Sequence, residues 1–388
     1  MQHNLIRLFI AVLFGCLTLS VYSQTVIISN NLHLPEDTVV RSQLINSLNG
    51  FLKHKEKPNK DNTYVLNENL LATSALLDEM KGMEQNAAFK DPAPYKAYLT
   101  NLVGDGSGSL IVQLAYMGIK DGQPVLRANF KLLAQKKGNQ FYFSSPLKMY
   151  THSWKSKKKG TLTFYYKDTL SAVDADEYYK KVQFYNKKLK APDELTDIYY
   201  CDNFTEAQQI LGVDYRLEYN GIPNDILATK ENNKNLMLNA WTDLKYRFDP
   251  HDLWHERLRA VVSSDVINRP VDEGCAYLYG GSWGFTWPEL QTKFKAYIAE
   301  HPDADWLKLY LDAANFSPAP KTLRVSFMLN ALIVRKIEAE KGFPAVIQLL
   351  SCGKKEAGDE NYFKALDQIV GINKGNFNEK MGELTKGM

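Results

Sequence analysis

The chain has 388 residues, with 47 lysines and arginines against 44 aspartates and glutamates, which gives a formal net charge of +3. A chain of this length can form two domains, each with its own hydrophobic core. So small a net charge, together with 12% aromatic residues, excludes a protein that binds nucleic acid through a strongly basic surface.

The first 23 residues have the pattern of a secretory signal peptide. A short start that contains Arg7 precedes an apolar run over residues 8–21, and small or apolar residues follow it. The run is too short for a transmembrane anchor, and no later stretch is apolar enough to span a bilayer. We therefore expect cleavage before Gln24 and a mature protein that is secreted or periplasmic.

The cysteines limit how the chain can be anchored and cross-linked. A lipoprotein attachment at Cys16 is the alternative to cleavage before residue 24, but the bulky Phe14 two residues earlier disfavours it. The mature chain keeps Cys201, Cys275 and Cys352, too few for a disulfide framework or for a structural zinc site rich in cysteine. One disulfide is compatible with this set, and the sequence does not pair it.

Residues 24–160 have the pattern of a small α+β domain. Apolar residues recur at helical spacing over residues 35–54 and again over about 66–83. The pattern then changes to runs of β-branched and aromatic residues with glycine-containing turns, which predict strands at 109–117, 124–134 and 140–145. Helices followed by an antiparallel meander predict an α+β fold, similar in outline to the cystatin-like folds.

A second domain, residues 161–388, follows a lysine-rich stretch at 154–160 that we interpret as a solvated linker or hairpin turn. A strand is predicted at 162–166 and a helix at 174–189, opened by a capping box. Further strands are predicted at 197–201, 213–219 and 236–240, with a short helix between the first two.

The segment after residue 248 predicts a helix that carries two histidines on one face. Asp249 can cap this helix, and Pro250 fits its first position, where the missing N–H costs nothing. His251 and His255 are four residues apart, so their side chains lie one turn above the other. Two imidazoles on one helix face can share a metal ion, as they do in the zinc-peptidase motif His-Glu-x-x-His.

A third ligand is predicted on the next helix. A catalytic zinc usually has three protein ligands and leaves one position for water. Glu273 follows His255 by eighteen residues and lies in the sequence Asp272-Glu-Gly-Cys-Ala-Tyr277. Together the two motifs resemble those of the gluzincin metallopeptidases, the thermolysin and aminopeptidase group, and most closely the secreted branch called peptidase MA-like.

This resemblance implies a thermolysin-like zincin domain in which Zn²⁺ is held by His251, His255 and Glu273. It also implies an all-helical lobe after the second motif, and the sequence predicts helices in that part of the chain. Their ranges are 286–301, 304–314, 321–341, 344–350, 361–370 and 378–385. The first of these begins with the capping box Thr286-Trp-Pro-Glu289.

The chain departs from the family at the catalytic acid. The family places glutamate after the first histidine, whereas this chain has Asp252, which is shorter by one methylene, or about 1.5 Å. A misplacement of about 1 Å can reduce a rate roughly a hundredfold. Glu256 cannot replace it, because it lies about 100° around the helix from His255 and should point away from the metal.

The sequence supports two functions from different classes. The first is an exported zinc metallopeptidase that acts on peptides or proteins, with Asp252 as general base and a tyrosine stabilising the oxyanion. The candidate tyrosines are Tyr277, Tyr279 and Tyr310. The alternative is an exported binding or envelope protein that keeps the gluzincin scaffold but has lost hydrolysis.

Overall fold

The computed structural model describes residues 25–85, 95–221, 226–240 and 249–388. The predicted signal peptide, its cleavage site before Gln24 and Cys16 lie outside these residues. Within the described ranges, no helix combines the length and the apolar character needed to cross a membrane.

The described residues contain both helices and several sheets, which confirms the α+β class at a coarse level. The helices are α1 (Thr38–His54), α2 (Leu70–Gln85), α3 (Leu147–Tyr150), α4 (Ala172–Leu189), α5 (Phe204–Leu211), α6 (Pro250–Arg259), α7 (Arg269–Gly280), α8 (Trp287–Glu300), α9 (Trp306–Leu311), α10 (Val325–Lys341), α11 (Phe343–Leu350), α12 (Glu360–Val370) and α13 (Phe377–Lys386). The strands are β1 (Ile27–Ile28), β2 (Lys96–Gly104), β3 (Leu110–Lys120), β4 (Gln123–Lys137), β5 (Gln140–Ser144), β6 (Lys155–Lys159), β7 (Leu162–Tyr166), β8 (Leu195–Tyr200), β9 (Val213–Arg216), β10 (Ile226–Glu231), β11 (Lys234–Asn239), β12 (Asn315–Ser317) and β13 (Leu323–Arg324).

The chain forms two compact units. The first contains the described parts of Met1–Trp154 and of Cys201–Ala240, and the second contains Lys155–Tyr200 and the described part of Trp241–Met388. The sequence placed residues 201–240 in the second domain. In the structure this segment belongs to the first unit, because its strand β9 pairs with β4.

The first unit is built on a sheet in the order β1-β2-β3-β4-β5, with β9 also pairing with β4. All of its pairings are antiparallel except that of β1 with β2. Helix α1 covers one face of the sheet, where the Phe51 and Phe143 rings lie 5.2 Å apart. Strand β2 was not predicted, and an irregularity in its register between Leu99 and Asn101 interrupts the alternation that would have indicated it.

The lysine-rich stretch predicted as a linker or turn is instead a strand. Residues Lys155–Lys159 form β6, which pairs antiparallel with β7. Backbone pairing needs no apolar side chains, and the long lysines keep their ammonium groups in solvent. Lys159 forms an ion pair with Asp176 on α4, so this strand and helix also share a charged contact.

In the second unit, β7 and β8 are parallel and are connected through α4. The side chain of Ser171 caps α4 by accepting a hydrogen bond from the backbone N–H of Asp174, so the cap lies three residues before the predicted one. The four residues predicted to face inward are buried, namely Tyr178, Val182, Tyr185 and Leu189. The helical periodicity therefore identified the packing face correctly.

The C-terminal part of this unit is mainly helical, as predicted. The capping box of α8 is present, with Thr286 and Glu289 in reciprocal contact. Helix α10 is the central element, and its first ten residues, Val325 to Val334, are all buried. It begins four residues later than predicted, because the preceding residues form the short antiparallel pair β12–β13.

Two glycines allow α7 to approach its neighbours closely. A Cβ on Gly274 would lie 2.6 Å from the Asn330 Cβ on α10, and one on Gly280 would lie 2.7 Å from the His251 backbone nitrogen on α6. Such distances are well inside van der Waals contact, so no larger residue fits without a shift. Helix α7 is therefore held against both the histidine helix and the central helix.

Candidate metal centre

Helix α6 presents the two predicted histidines on one face. Asp249 caps the helix by accepting a hydrogen bond from the His251 backbone N–H at 2.9 Å, and Pro250 occupies the first turn. Leu253, Trp254 and Leu258 are buried on the packing side. Burial of this apolar face fixes the rotation of the helix, and the fixed rotation directs both imidazoles toward α7.

The structure brings the three predicted metal ligands together. The Nε2 atoms of His251 and His255 are 3.2 Å apart. The Glu273 Oε2 atom lies 3.4 Å from the first of these nitrogens and 4.0 Å from the second. Two ligands on a tetrahedral zinc are separated by roughly 3.3 Å when each bond is about 2.0–2.1 Å long. The cluster could hold a metal ion, since two of its three separations are close to this value.

The backbone fixes the orientation of the first imidazole. The Nδ1 of His251 lies 2.8 Å from the carbonyl oxygen of Gly281, just beyond the end of α7. A carbonyl oxygen can only accept, so Nδ1 carries the proton and the Nε2 lone pair is free for a metal. This contact joins the histidine helix to the segment that follows the glutamate helix.

A buried carboxylate fixes the second imidazole. The Nδ1 of His255 lies 2.9 Å from Asp272 Oδ1, and the indole Nε1–H of Trp254 donates to the same oxygen at 3.0 Å. Trp254 is fully buried, and the exposed fractions of Asp272 and His255 are only 4% and 8%. Such outer partners hold a ligand in the correct tautomer and orientation.

Sequence reasoning did not assign a role to Asp272. Its position directly before Glu273 could have indicated one, because metal-binding histidines commonly donate to a carboxylate. Helical geometry alone would not have sufficed, because adjacent residues on a helix point about 100° apart. Asp272 and Glu273 both reach the histidines because α6 crosses α7 closely at Gly280.

The charges within the cluster favour an ionised carboxylate beside a protonatable ring. Burial alone would lower the pKa of His251, but the hydrogen bond to Glu273 and the contact with the Gly281 carbonyl raise it overall. Burial alone would raise the pKa of Glu273, but the neighbouring His251 and His255 hold it below its ordinary value. The guanidinium of Arg269, 3.5 Å from Glu273 Oε1, also favours the carboxylate.

Asp252 lies next to the ligands but is not part of the cluster. Its side chain is exposed and makes no hydrogen bond to any other residue that the structure describes. Partial desolvation by the surrounding protein raises its pKa, and the charge of Asp249 raises it further, while the two histidines oppose this shift. Asp252 therefore remains a candidate for the general base that the sequence predicts.

Glu256, by contrast, is oriented toward a different environment. Burial is the main reason that its pKa is raised; Arg257 opposes the shift and Glu194 adds to it. None of the three candidate ligands is among these neighbours. This arrangement agrees with the helical geometry that directs Glu256 away from the histidine face.

The three tyrosines proposed to stabilise an oxyanion occupy different places. Tyr310 stacks on Tyr362 in the aromatic core of the helical lobe, with ring centroids 5.4 Å apart. Tyr279 donates its hydroxyl hydrogen to Glu338 at 2.6 Å. Only Tyr277 borders the cluster, with its ring 6.0 Å from the His251 ring; burial is the main cause that raises its pKa to about 12.

No protein-family model matches this chain, and no curated protein is detectably similar to it. The chemistry of the site is therefore inferred from the residues and their geometry.

Proposed function

We propose that this protein is an exported, zinc-dependent hydrolase of peptide bonds. The observation that carries the proposal is the convergence of two imidazole nitrogens and one carboxylate oxygen, each within 3.2–4.0 Å of the others. Both rings are held by their Nδ1 atoms, so both Nε2 lone pairs are available. Neutral imidazoles and one carboxylate are the usual donors of a catalytic zinc, which leaves a position for water.

When bound, zinc polarises a carbonyl group and lowers the pKa of water toward neutrality. His251, His255 and Glu273 would hold the ion. Asp252 would accept the proton from the attacking water and then pass it to the leaving amine. Tyr277 is the best-placed hydroxyl to donate to the developing oxyanion, since its ring borders His251 and its hydroxyl has no carboxylate acceptor in the described part of the chain.

A second candidate function is a binding protein that keeps the metal scaffold without hydrolysis. Asp252 favours it, because the aspartate carboxyl stops about 1.5 Å short of the position that a glutamate would reach. The exposure of Asp252 and its lack of hydrogen bonds leave room for it to act through an intervening water. The two functions therefore differ only in whether this carboxyl reaches the reacting atoms.

The test combines metal analysis with peptide cleavage. We expect the purified protein to contain zinc and to cleave a library of unstructured peptides in a reaction that chelators abolish. Asp252→Asn should remove cleavage, whereas Asp252→Glu should preserve or increase it, by as much as roughly a hundredfold if the short side chain limits the rate. Zinc binding without cleavage by the wild type or by Asp252→Glu would favour the binding function instead.

A further inference from the structure

A strained turn that exposes a tryptophan follows the glutamate helix. The backbones of Ser282 and Phe285 exchange two hydrogen bonds, each 2.9 Å long, around the central residues Trp283 and Gly284. Both central residues have positive φ, at 53° and 77°. A two-residue turn of this kind is best made by Asn-Gly, and a bulky side chain at its first position is strained.

Burial does not compensate for the strain at Trp283. Its side chain is 51% exposed, and its indole Nε1–H makes one hydrogen bond, to the carbonyl oxygen of Thr322 at 3.1 Å. Asparagine would form the same turn at lower cost, so the turn itself does not require tryptophan. Backbone strain that the fold does not need is typical of residues that contact a ligand.

This turn lies within reach of a substrate at the metal centre. The carbonyl of Gly281, one residue before the turn, accepts the hydrogen bond from His251 Nδ1. The segment that contains Arg324 also contacts the site, because the hydroxyl of Tyr277 accepts a 3.4 Å hydrogen bond from the Arg324 backbone N–H. An extended peptide advances about 3.3 Å per residue, so side chains a few positions from a bond held at the metal can reach the turn.

Cationic side chains lie against aromatic rings at this turn and in the segment that follows Lys321. The ammonium groups of Lys293 and Lys321 lie 4.4 Å and 4.9 Å from the centroid of the Phe285 ring, and Lys321 also donates to the Trp283 carbonyl. The guanidinium of Arg324 lies 5.4 Å from the centroid of the Phe327 ring. Within the described ranges, none of these three cations forms an ion pair with an acidic side chain. A group of unpaired cations attracts anionic ligands.

We propose that these residues form a substrate subsite, the basic-aromatic rim, consisting of Trp283, Phe285, Lys293, Lys321 and Arg324. Its occupant is a segment of an acidic peptide that carries an aromatic side chain. The indole packs against that aromatic side chain, and the three cations pair with neighbouring carboxylates. The rim thereby gives the proposed peptidase its substrate class, and its role in catalysis rests on the proposed function.

Peptide binding tests the rim without requiring cleavage. Three fluorescein-labelled peptides of equal length would be titrated against the full chain, with and without zinc, and followed by fluorescence anisotropy. One peptide is acidic and contains phenylalanine, one is acidic with alanine in its place, and one is basic with phenylalanine. We expect the acidic phenylalanine peptide to bind about tenfold more tightly than either of the others, and added salt to weaken its binding.

The decisive variant is Trp283→Asn. It should keep or raise the thermal stability, because it relieves the strained turn, and it should weaken binding of the acidic phenylalanine peptide about tenfold. Ala313→Asn is the matched control, since Ala313 also has a positive φ, of 50°, in the same unit. This control should leave peptide binding unchanged.

Unchanged peptide binding by Trp283→Asn would overturn the rim, as would equal binding of the acidic and basic peptides or no binding of any peptide. These outcomes are separable from failure of the proposed function. A chain that binds and cleaves with zinc but shows no peptide preference contradicts the rim alone. A chain that prefers the acidic phenylalanine peptide but binds no zinc contradicts the peptidase alone.

Discussion

The candidate metal centre and the turn beside it have an inner half and an outer half that differ in how firmly their side chains are held. In the inner half, His255 is 8% exposed and shares the buried oxygen of Asp272 with Trp254. In the outer half, Asp252 is exposed and makes no hydrogen bond to another described residue, and Trp283 is half exposed in a strained turn. If the proposed function is correct, the inner half would set metal affinity, whereas the outer half would set reactivity and substrate choice.

Among the variants that test this comparison, we expect the largest change in zinc affinity for Asp272→Asn. The amide loses the negative charge that holds the His255 imidazole, so zinc affinity should fall about ten- to a hundredfold. Apo-protein stability should also fall, by about 1–3 kcal/mol, because two buried N–H donors lose a charged acceptor. Competition with a chromophoric chelator measures the affinity, and thermal unfolding measures the stability.

Asp252→Asn is the matched control, because it makes the same chemical change in the outer half. It should leave zinc affinity within about twofold while removing cleavage. If both variants lost zinc affinity to the same extent, the division into two halves would be wrong.

A smaller effect is expected for Trp254→Phe. This change removes one of the two donors to Asp272 Oδ1 and leaves His255 as its remaining partner. Zinc affinity should fall about two- to tenfold, corresponding to one ordinary hydrogen bond. Trp306→Phe, a similarly buried tryptophan whose ring lies 5.9 Å from that of Phe294, controls for lost volume. Equal affinities of these two variants would show that the indole contact with Asp272 only satisfies a buried donor.

The elements near the site could be predicted because their signals are local. Asp249 and Pro250 mark the start of α6, and the four-residue spacing places both histidines on one face. The capping box of α8 and the inward face of α4 are also encoded within one or two helical turns. Each of these features depends on neighbours in the sequence, so periodicity and cap chemistry were sufficient.

The remaining features depend on contacts between residues that are far apart in the sequence. Asp272 becomes a partner of His255 only because Gly280 lets α7 approach α6 closely. Tyr310 and Tyr277 were both candidates for stabilising an oxyanion on the basis of the sequence. In the structure, Tyr310 packs in the core of the helical lobe. The strand Lys155–Lys159 was mistaken for a linker because its pairing with β7 uses the backbone and leaves little trace in the side chains.

The most direct test of the account is the zinc content of the purified protein, measured by native mass spectrometry together with elemental analysis. We expect one zinc ion per wild-type chain, a loss of at least roughly a hundredfold in affinity for His255→Ala, and no change for His301→Ala, an exposed histidine in the same unit. A wild-type chain that takes up no zinc, or a His255→Ala variant that binds it as tightly as the wild type, would contradict the account.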